Sequence, residues 1–281
     1  MFLADDGHLL IKNRPSRFSS MFDWIVTEND VLKKKAVPET IFVKTDYLPR
    51  FVCNDFPSLS MPFILITGSS DWSPSVNFPR EYEILVESCL VTKWYMLNCL
   101  SVHEKVFSYP GGLCHNEVSD EILLSTRREA VKREDDKILC IWRNRDFNVC
   151  GDKYITRHRV ETFVKEHTDI FDWVDATLTT TEFYHLLSRY KFVLCPVGNG
   201  VDPCPKAFEA LIVKTIPIMI RTRNTEEVYA DLPSILLDSF EALRNMKNLD
   251  DIYESYKERL SDDSLLEKFS CEYWYNTIMR R

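Results

Sequence analysis

The sequence predicts an α/β protein made of two Rossmann-like halves with a cleft between them. Three observations carry this. Short apolar runs alternate with amphipathic segments along the chain, the pattern of parallel sheets covered on both faces. The alternation occurs twice, on either side of a charged stretch near residues 125–136. The length of 281 residues exceeds what most single compact cores use and is comfortable for two.

Taken in order, ETIFVKTD (39–46) and PFILITGSSD (62–71) predict strands that end in small or polar residues. EYEILVESCLVTKWYMLN (81–98) carries a strand signal and a helix signal, and its pattern does not choose between them. KVFSYPGGL (105–113) predicts a strand entering a Pro-Gly-Gly turn. In RREAVKREDDK (127–137) the cations are interrupted by Glu129, Glu134, Asp135 and Asp136, which predicts a solvated, partly helical connector. KILCIWRNRD (137–146) follows as a strand with basic residues at its carboxyl end. YITRHRVETFVKEH (154–167) predicts a helix with Ile155, Val160, Phe163 and Val164 on one face, and TEFYHLLSRY (181–190) predicts another. KFVLCPV is then a strand, PKAFEALIVK a helix and TIPIMI a strand. SILLDSFEALRNM (234–246) and the aromatic-rich tail from Asp251 predict helices. The expected division is an N-terminal domain over 1–125, a C-terminal domain over 126–250, and a helical segment over 251–281 that packs back on the first domain.

Composition narrows the class. Hydrophobic residues make up 45% and charged residues 28%, ordinary for a soluble globular chain. A net charge of −8 without a basic stripe argues against nucleic acid as a partner. The start, MFLADDGHLLIKNRP, lacks the basic and apolar regions of a signal peptide, and no apolar run reaches the ~18 residues of a membrane span. The nine cysteines form no CxxC pair, and Cys140 and Cys195 sit in apolar runs as buried free thiols. No Asn-x-Ser/Thr sequon, internal repeat or low-complexity tract is present. These features predict a cytoplasmic protein.

The most specific stretch is KFVLCPVGNGVDPCPKAFEALIVKTIPIMI (191–220), which places two of the chain's seven glycines one residue apart. In open α/β sheets ligands sit beyond the carboxyl ends of the strands. Gly198, Asn199, Gly200 and Asp202 follow a strand there and precede a helix holding Lys206 in its first turn. Glycines let backbone approach an anion or adopt φ > 0, the helix start offers N–H groups, and Lys206 adds charge, so the segment suits a diphosphate. Glu209, one turn on, suits a ribose diol. The competing reading is a plain tight turn with Lys206 and Glu209 as a surface i,i+3 ion pair. A P-loop is excluded because no Lys-Ser/Thr follows the turn, and Pro203 stands where a dinucleotide fingerprint needs glycine or alanine.

This stretch resembles the C-terminal motif of exostosin-like glycosyltransferases: an apolar strand, Pro, Gly-x-Gly, Asp, then Arg-x-x-Glu-Ala-Leu and a closing Ile-Pro-Ile strand. The chain looks most like the short members among the capsid-glycan glycosyltransferases of large algal viruses, which include xylosyltransferases. The strong match covers about 30 residues. Weaker echoes lie in PFILITGSSD, in the run through Asn98, Lys105 and Pro110-Gly-Gly-Leu113, and in KILCIWRNRD with a later Arg at 159. Lys206 stands where the family has arginine, and Pro203, Cys204 and Pro205 lengthen the loop by one residue.

The resemblance implies a GT-B architecture, with acceptor binding in the first domain and nucleotide-sugar binding in the second. It implies an inverting enzyme that holds no metal through Asp-x-Asp, a motif this chain lacks. No cofactor is expected beyond the substrate UDP-sugar, with UDP-xylose the expected donor. The acceptor would be a hydroxyl of an oligosaccharide or glycoprotein, such as a viral capsid glycan made in the host cytoplasm. For the general base the position after a strand and three small residues favours Asp71, with Asp46 second and His103 third. A turn cap is the competing role for Asp71. For the leaving diphosphate Arg143 and Lys206 are favoured, with Arg145 and Arg159 in reserve, and Trp72 or Tyr109 are candidates for stacking. A non-catalytic carbohydrate-binding or assembly protein on the same fold is the alternative function.

Overall fold

The computed structural model describes residues 17–28, 31–113, 119–129, 135–143, 157–203, 205–245 and 248–280. Strands β1 (Trp24–Val26), β2 (Val31–Lys33), β3 (Thr40–Lys44), β4 (Phe63–Gly68), β5 (Val91–Met96) and β6 (Val106–Ser108) form the first sheet, in the order β2-β1-β3-β4-β5-β6. Among the described residues only β1 and β2 pair antiparallel. Strands β7 (Asp135–Cys140), β8 (Phe171–Trp173), β9 (Tyr190–Leu194), β10 (Ile216–Ile220) and β11 (Ile235–Leu237) form an all-parallel second sheet, in the order β11-β10-β9-β7-β8. The expected α/β class with two parallel sheets is what the structure has. Strands β3, β9 and β10 are buried along nearly their whole length, which is why each reads as a continuous apolar run.

Strand order explains how the two sheets are covered. In the first sheet the parallel strands β1, β3, β4, β5 and β6 add in one direction. Right-handed crossovers then all fall on one face. Ile41, Val43, Leu65, Trp94 and Met96 point to that face and cluster with Leu48, Phe51, Leu85 and Val86 from the crossovers. Ile25, Phe42, Ile66 and Tyr95 point the other way, into a core that continues through the second half. The C-terminal helix Cys271–Arg280 joins that core through Trp274 and Ile278, and its Tyr275 ring lies 5.8 Å from that of Phe22.

The second sheet is wound differently. Strand β8 lies on one side of β7, whereas β9, β10 and β11 lie on the other. The strand order therefore reverses between β7 and β9, and this is where a doubly wound sheet opens a crevice at its carboxyl edge.

Several local expectations are resolved or corrected. The ambiguous 81–98 segment divides into the helix Pro79–Glu87 and strand β5. The helix expected over 234–246 is instead strand β11 followed by the 3-10 helix Phe240–Asn245. Ile235, Leu236 and Leu237 extend the sheet by pairing with β10, and this ladder overrides the local helix signal. The charged connector is not simply solvated. It begins inside the helix Ser119–Arg128, and Arg127 is buried there. Arg127 donates to Ile212 O at 3.0 Å and Asp262 O at 3.1 Å, and pairs with Asp263 at 3.0 Å. One charged side chain thus ties the last turn of one helix to the start of the C-terminal region. Cys140 and Cys195 are buried and stand outside any disulfide, as their apolar surroundings predicted.

Candidate active site

At the switch point between β7 and β9, side chains from both strand ends come together. Arg157, the first residue of the helix Arg157–Glu166, donates from Nη1 to Arg143 O and from Nε to Val197 O, each at 3.2 Å. Its guanidinium therefore spans the switch point. A Cβ added to Gly198 would lie 3.2 Å from Arg157 Nη2, so a side chain there would crowd the cation. Lys206 is buried, donates to Ile141 O at 2.8 Å and sits 5.3 Å from the Trp142 ring centre. Trp142 meets Trp173 edge to face at 4.8 Å, and both indole N–H groups are buried without a hydrogen-bond partner among the described residues. The carboxyl ends of β7, β8 and β9 thus gather two cations and two indoles.

Glu209 is also buried and accepts from Tyr184 Oη at 3.2 Å. Lys206 and Glu209 are therefore not the surface ion pair of the competing reading. Arg143 lends its carbonyl to Arg157 while its own residue is exposed. Arg159 is exposed on its helix, and Arg145 lies outside the described residues.

The carboxyl ends of the first sheet meet this region. Asn199 Nδ2 donates to Asp71 Oδ2 at 3.0 Å, so the candidate base and the glycine turn are in contact. Asn98, just past β5, donates from Nδ2 to Ser70 O at 3.0 Å, and its Oδ1 accepts from Val201 N and Asp202 N, both at 2.9 Å. Asp202 turns its carboxylate into the joint, where Oδ2 accepts from Gly111 N at 3.2 Å and Asn224 Nδ2 at 3.4 Å. Asn224, with no exposed surface, accepts in turn from Cys99 N at 3.4 Å.

Backbone conformation marks the same place. Ser69 (φ 53) and Asn98 (φ 56) both sit in the left-handed region, on either side of Asp71 and its joint. Such conformations cost on the order of 1 kcal/mol and persist where the surroundings fix them. Gly198 and Gly200 do not have positive φ, whereas Gly112 does at 78°. The two glycines of the turn therefore serve close approach rather than an unusual backbone angle.

Other candidates fall elsewhere. Asp46 is exposed in the 3-10 turn after β3, one strand further from the joint than β4. The His103 Nδ1 accepts from Lys105 N at 3.2 Å within its own turn. Trp72 packs 6.1 Å from Phe78. Tyr109 is fully buried and donates to Thr67 O at 3.1 Å, so its ring offers no stacking face, and burial and then the Asp202 charge hold its phenol well above the ordinary range.

Sequence reasoning missed Arg157, Asn98, Gly111 and Asn224. Arg157 stood inside a segment read only for its apolar face. Asn98 had a signal only as an Asn in the weak echo before Pro110-Gly-Gly. Among the described residues no three His, Cys, Asp or Glu side chains gather as metal ligands, and no helix is long and apolar enough to cross a membrane.

No family model matches the chain, and no curated protein matches it in sequence. Among solved structures, an α,α-trehalose-phosphate synthase (UDP-forming) from Burkholderia vietnamiensis superposes with a TM-score of 0.47 at 12% identity, over 85% of this chain and 70% of that one. The spinosyn rhamnosyltransferase SpnG, complexed with thymidine diphosphate, gives a TM-score of 0.34 at 13% identity, over 83% and 67% of the two chains.

Proposed function

We propose that this chain is an inverting glycosyltransferase that moves a sugar from a UDP-sugar to a hydroxyl of a glycan acceptor. The observation that supports it best is the contact between Asp71 and Asn199. It sets a carboxylate from one sheet against the turn at the switch point of the other, beside Arg157 and Lys206. Direct displacement at an anomeric carbon needs this opposition. A base on one side takes the acceptor proton, while cations on the other stabilise the departing diphosphate.

In this reading Asp71 is the base. Arg157 and Lys206, with Arg143 beside them, receive the diphosphate near Gly198. Glu209 receives the ribose hydroxyls, and the Trp142 and Trp173 pair supplies the apolar wall for uracil. Charge on the leaving group is then met by side chains, so transfer proceeds with a chelator present. Xylose is the donor sugar we favour, on the resemblance of the 191–220 stretch.

The test is a thermal-shift panel of nucleotide sugars, because selective binding raises stability by RT ln(1 + [L]/Kd). UDP-xylose should stabilise the protein more than UDP-glucose, and UDP-sugars more than GDP-sugars. If no nucleotide sugar shifts the transition, the reading fails. If UDP-glucose wins, only the choice of sugar fails.

A further inference from the structure

We infer that Asn98 is a positioning residue that seats the 198–202 turn on the first half of the molecule, and that Gly200 is glycine to admit the Asn98 amide rather than a phosphate. Asn98 uses both ends of its amide. Its Oδ1 takes two consecutive backbone N–H groups, from Val201 and Asp202, and its Nδ2 gives to Ser70 O. At 3% exposure the amide has no water to replace these bonds. Because its targets are backbone groups, it recognises the shape of the turn rather than its side chains. The left-handed φ of Asn98, 56°, is one that asparagine tolerates better than most residues.

Gly200 completes the fit. A Cβ at that position would lie 2.7 Å from both Asn98 Cγ and Nδ2. The amide cannot retreat without giving up bonds on both sides. Gly200 itself is not in the left-handed region, so the overlap alone requires glycine.

The seat also fixes the candidate site. Ser70, which receives the Asn98 amide, immediately precedes Asp71. Asn199, which donates to Asp71, immediately precedes Gly200. Asn98 therefore holds both ends of the Asp71–Asn199 contact in register. This last step rests on the sugar-transfer reading above.

The test is a cycle of four proteins: parent, Asn98→Gly, Gly200→Ala and the double variant. Glycine at 98 keeps the left-handed backbone without strain and removes the amide. Gly200→Ala should lower the melting temperature by about 4 °C or more in the parent, and by less than about half of that when Asn98 is already glycine. Equal losses in the two backgrounds overturn the seat. In Asn98→Asp, which keeps the size of the side chain, the loss from Gly200→Ala should stay as large as in the parent. Should Asn98→Gly fail to fold, Asn98→Ser takes its place in the cycle.

The second readout is calorimetric titration with UDP. Asn98→Gly should weaken UDP binding about tenfold, a loss that a merely structural side chain would not cause in a folded protein. Unchanged UDP affinity overturns the positioning step. A parent that binds no UDP overturns the sugar-transfer reading instead, and the melting cycle, which needs no ligand, still decides the seat.

Discussion

Asp71 and Arg157 divide the proposed chemistry between them, and single substitutions separate their roles. Asp71→Asn keeps the shape of the side chain and an acceptor for Asn199, but removes basicity. Transfer should fall about 10²–10⁴-fold while UDP affinity stays close to that of the parent, as measured by initial rates and calorimetry. If Asp71→Asn transfers at the parent rate and Asp46→Asn does not, the base is Asp46. Arg157→Lys keeps the charge but loses the fork that bonds Arg143 O and Val197 O together. UDP affinity should drop by about 1.5–3 kcal/mol, the scale of a hydrogen bond to a charged group. An unchanged affinity would remove Arg157 from the site. Of these two residues only Asp71 was legible beforehand, because its signal was local: a carboxylate past a strand and three small residues. The bonds Asn98 makes to Val201 and Asp202 span 103 and 104 residues of sequence, and no short pattern encodes such a pairing.

Elements were legible in proportion to how much of their stability is local or continuous. Strands β3, β9 and β10 announced themselves as unbroken apolar runs because both faces are covered. Strands β1, β2, β8 and β11 have three residues each and exist because a neighbour supplies the ladder, so their sequences carry little signal of their own. The helix Ser119–Arg128 shows the converse, a charged stretch whose Arg127 is buried. Its Arg127 satisfies the carbonyl of Ile212 at the end of the helix Lys206–Ile212, a position where a cation also meets the negative end of the helix dipole. Arg127→Met keeps the bulk and removes the donors. Unfolding in urea should show a loss of about 2–4 kcal/mol, because buried carbonyls lose charged partners. A change below about 0.5 kcal/mol would place Arg127 among ordinary surface cations.

At the scale of the molecule, the first sheet keeps a core of its own on one face and shares the other face with the second half. Ile25, Phe42, Ile66 and Tyr95 of the first sheet belong to the same buried cluster as Leu194 and Ile218 of the second and Phe208 of the helix Lys206–Ile212, and Trp274 and Ile278 of the last helix join them. The singly wound order of the first sheet is the cause, since its right-handed crossovers leave one face that only the rest of the chain can cover. Its outer strand is closed in the same way. Strand β6 is an edge, and the helix Arg223–Tyr229 clasps it: Arg223 Nη2 donates to Val106 O at 2.9 Å, and Glu227 accepts from Ser108 N at 2.7 Å. Arg223 and Glu227 pair with each other at 2.7 Å, so one i,i+4 pair stands in for a neighbouring strand. A chain whose halves share a core and an edge should melt as one unit, although its length would allow two. Scanning calorimetry should therefore give a single transition whose calorimetric and van't Hoff enthalpies agree, and UDP should move that transition as a whole. Two resolved transitions, with only the later or the earlier one responding to UDP, would show that each sheet is stable without the other and that the shared cluster contributes little to holding them together.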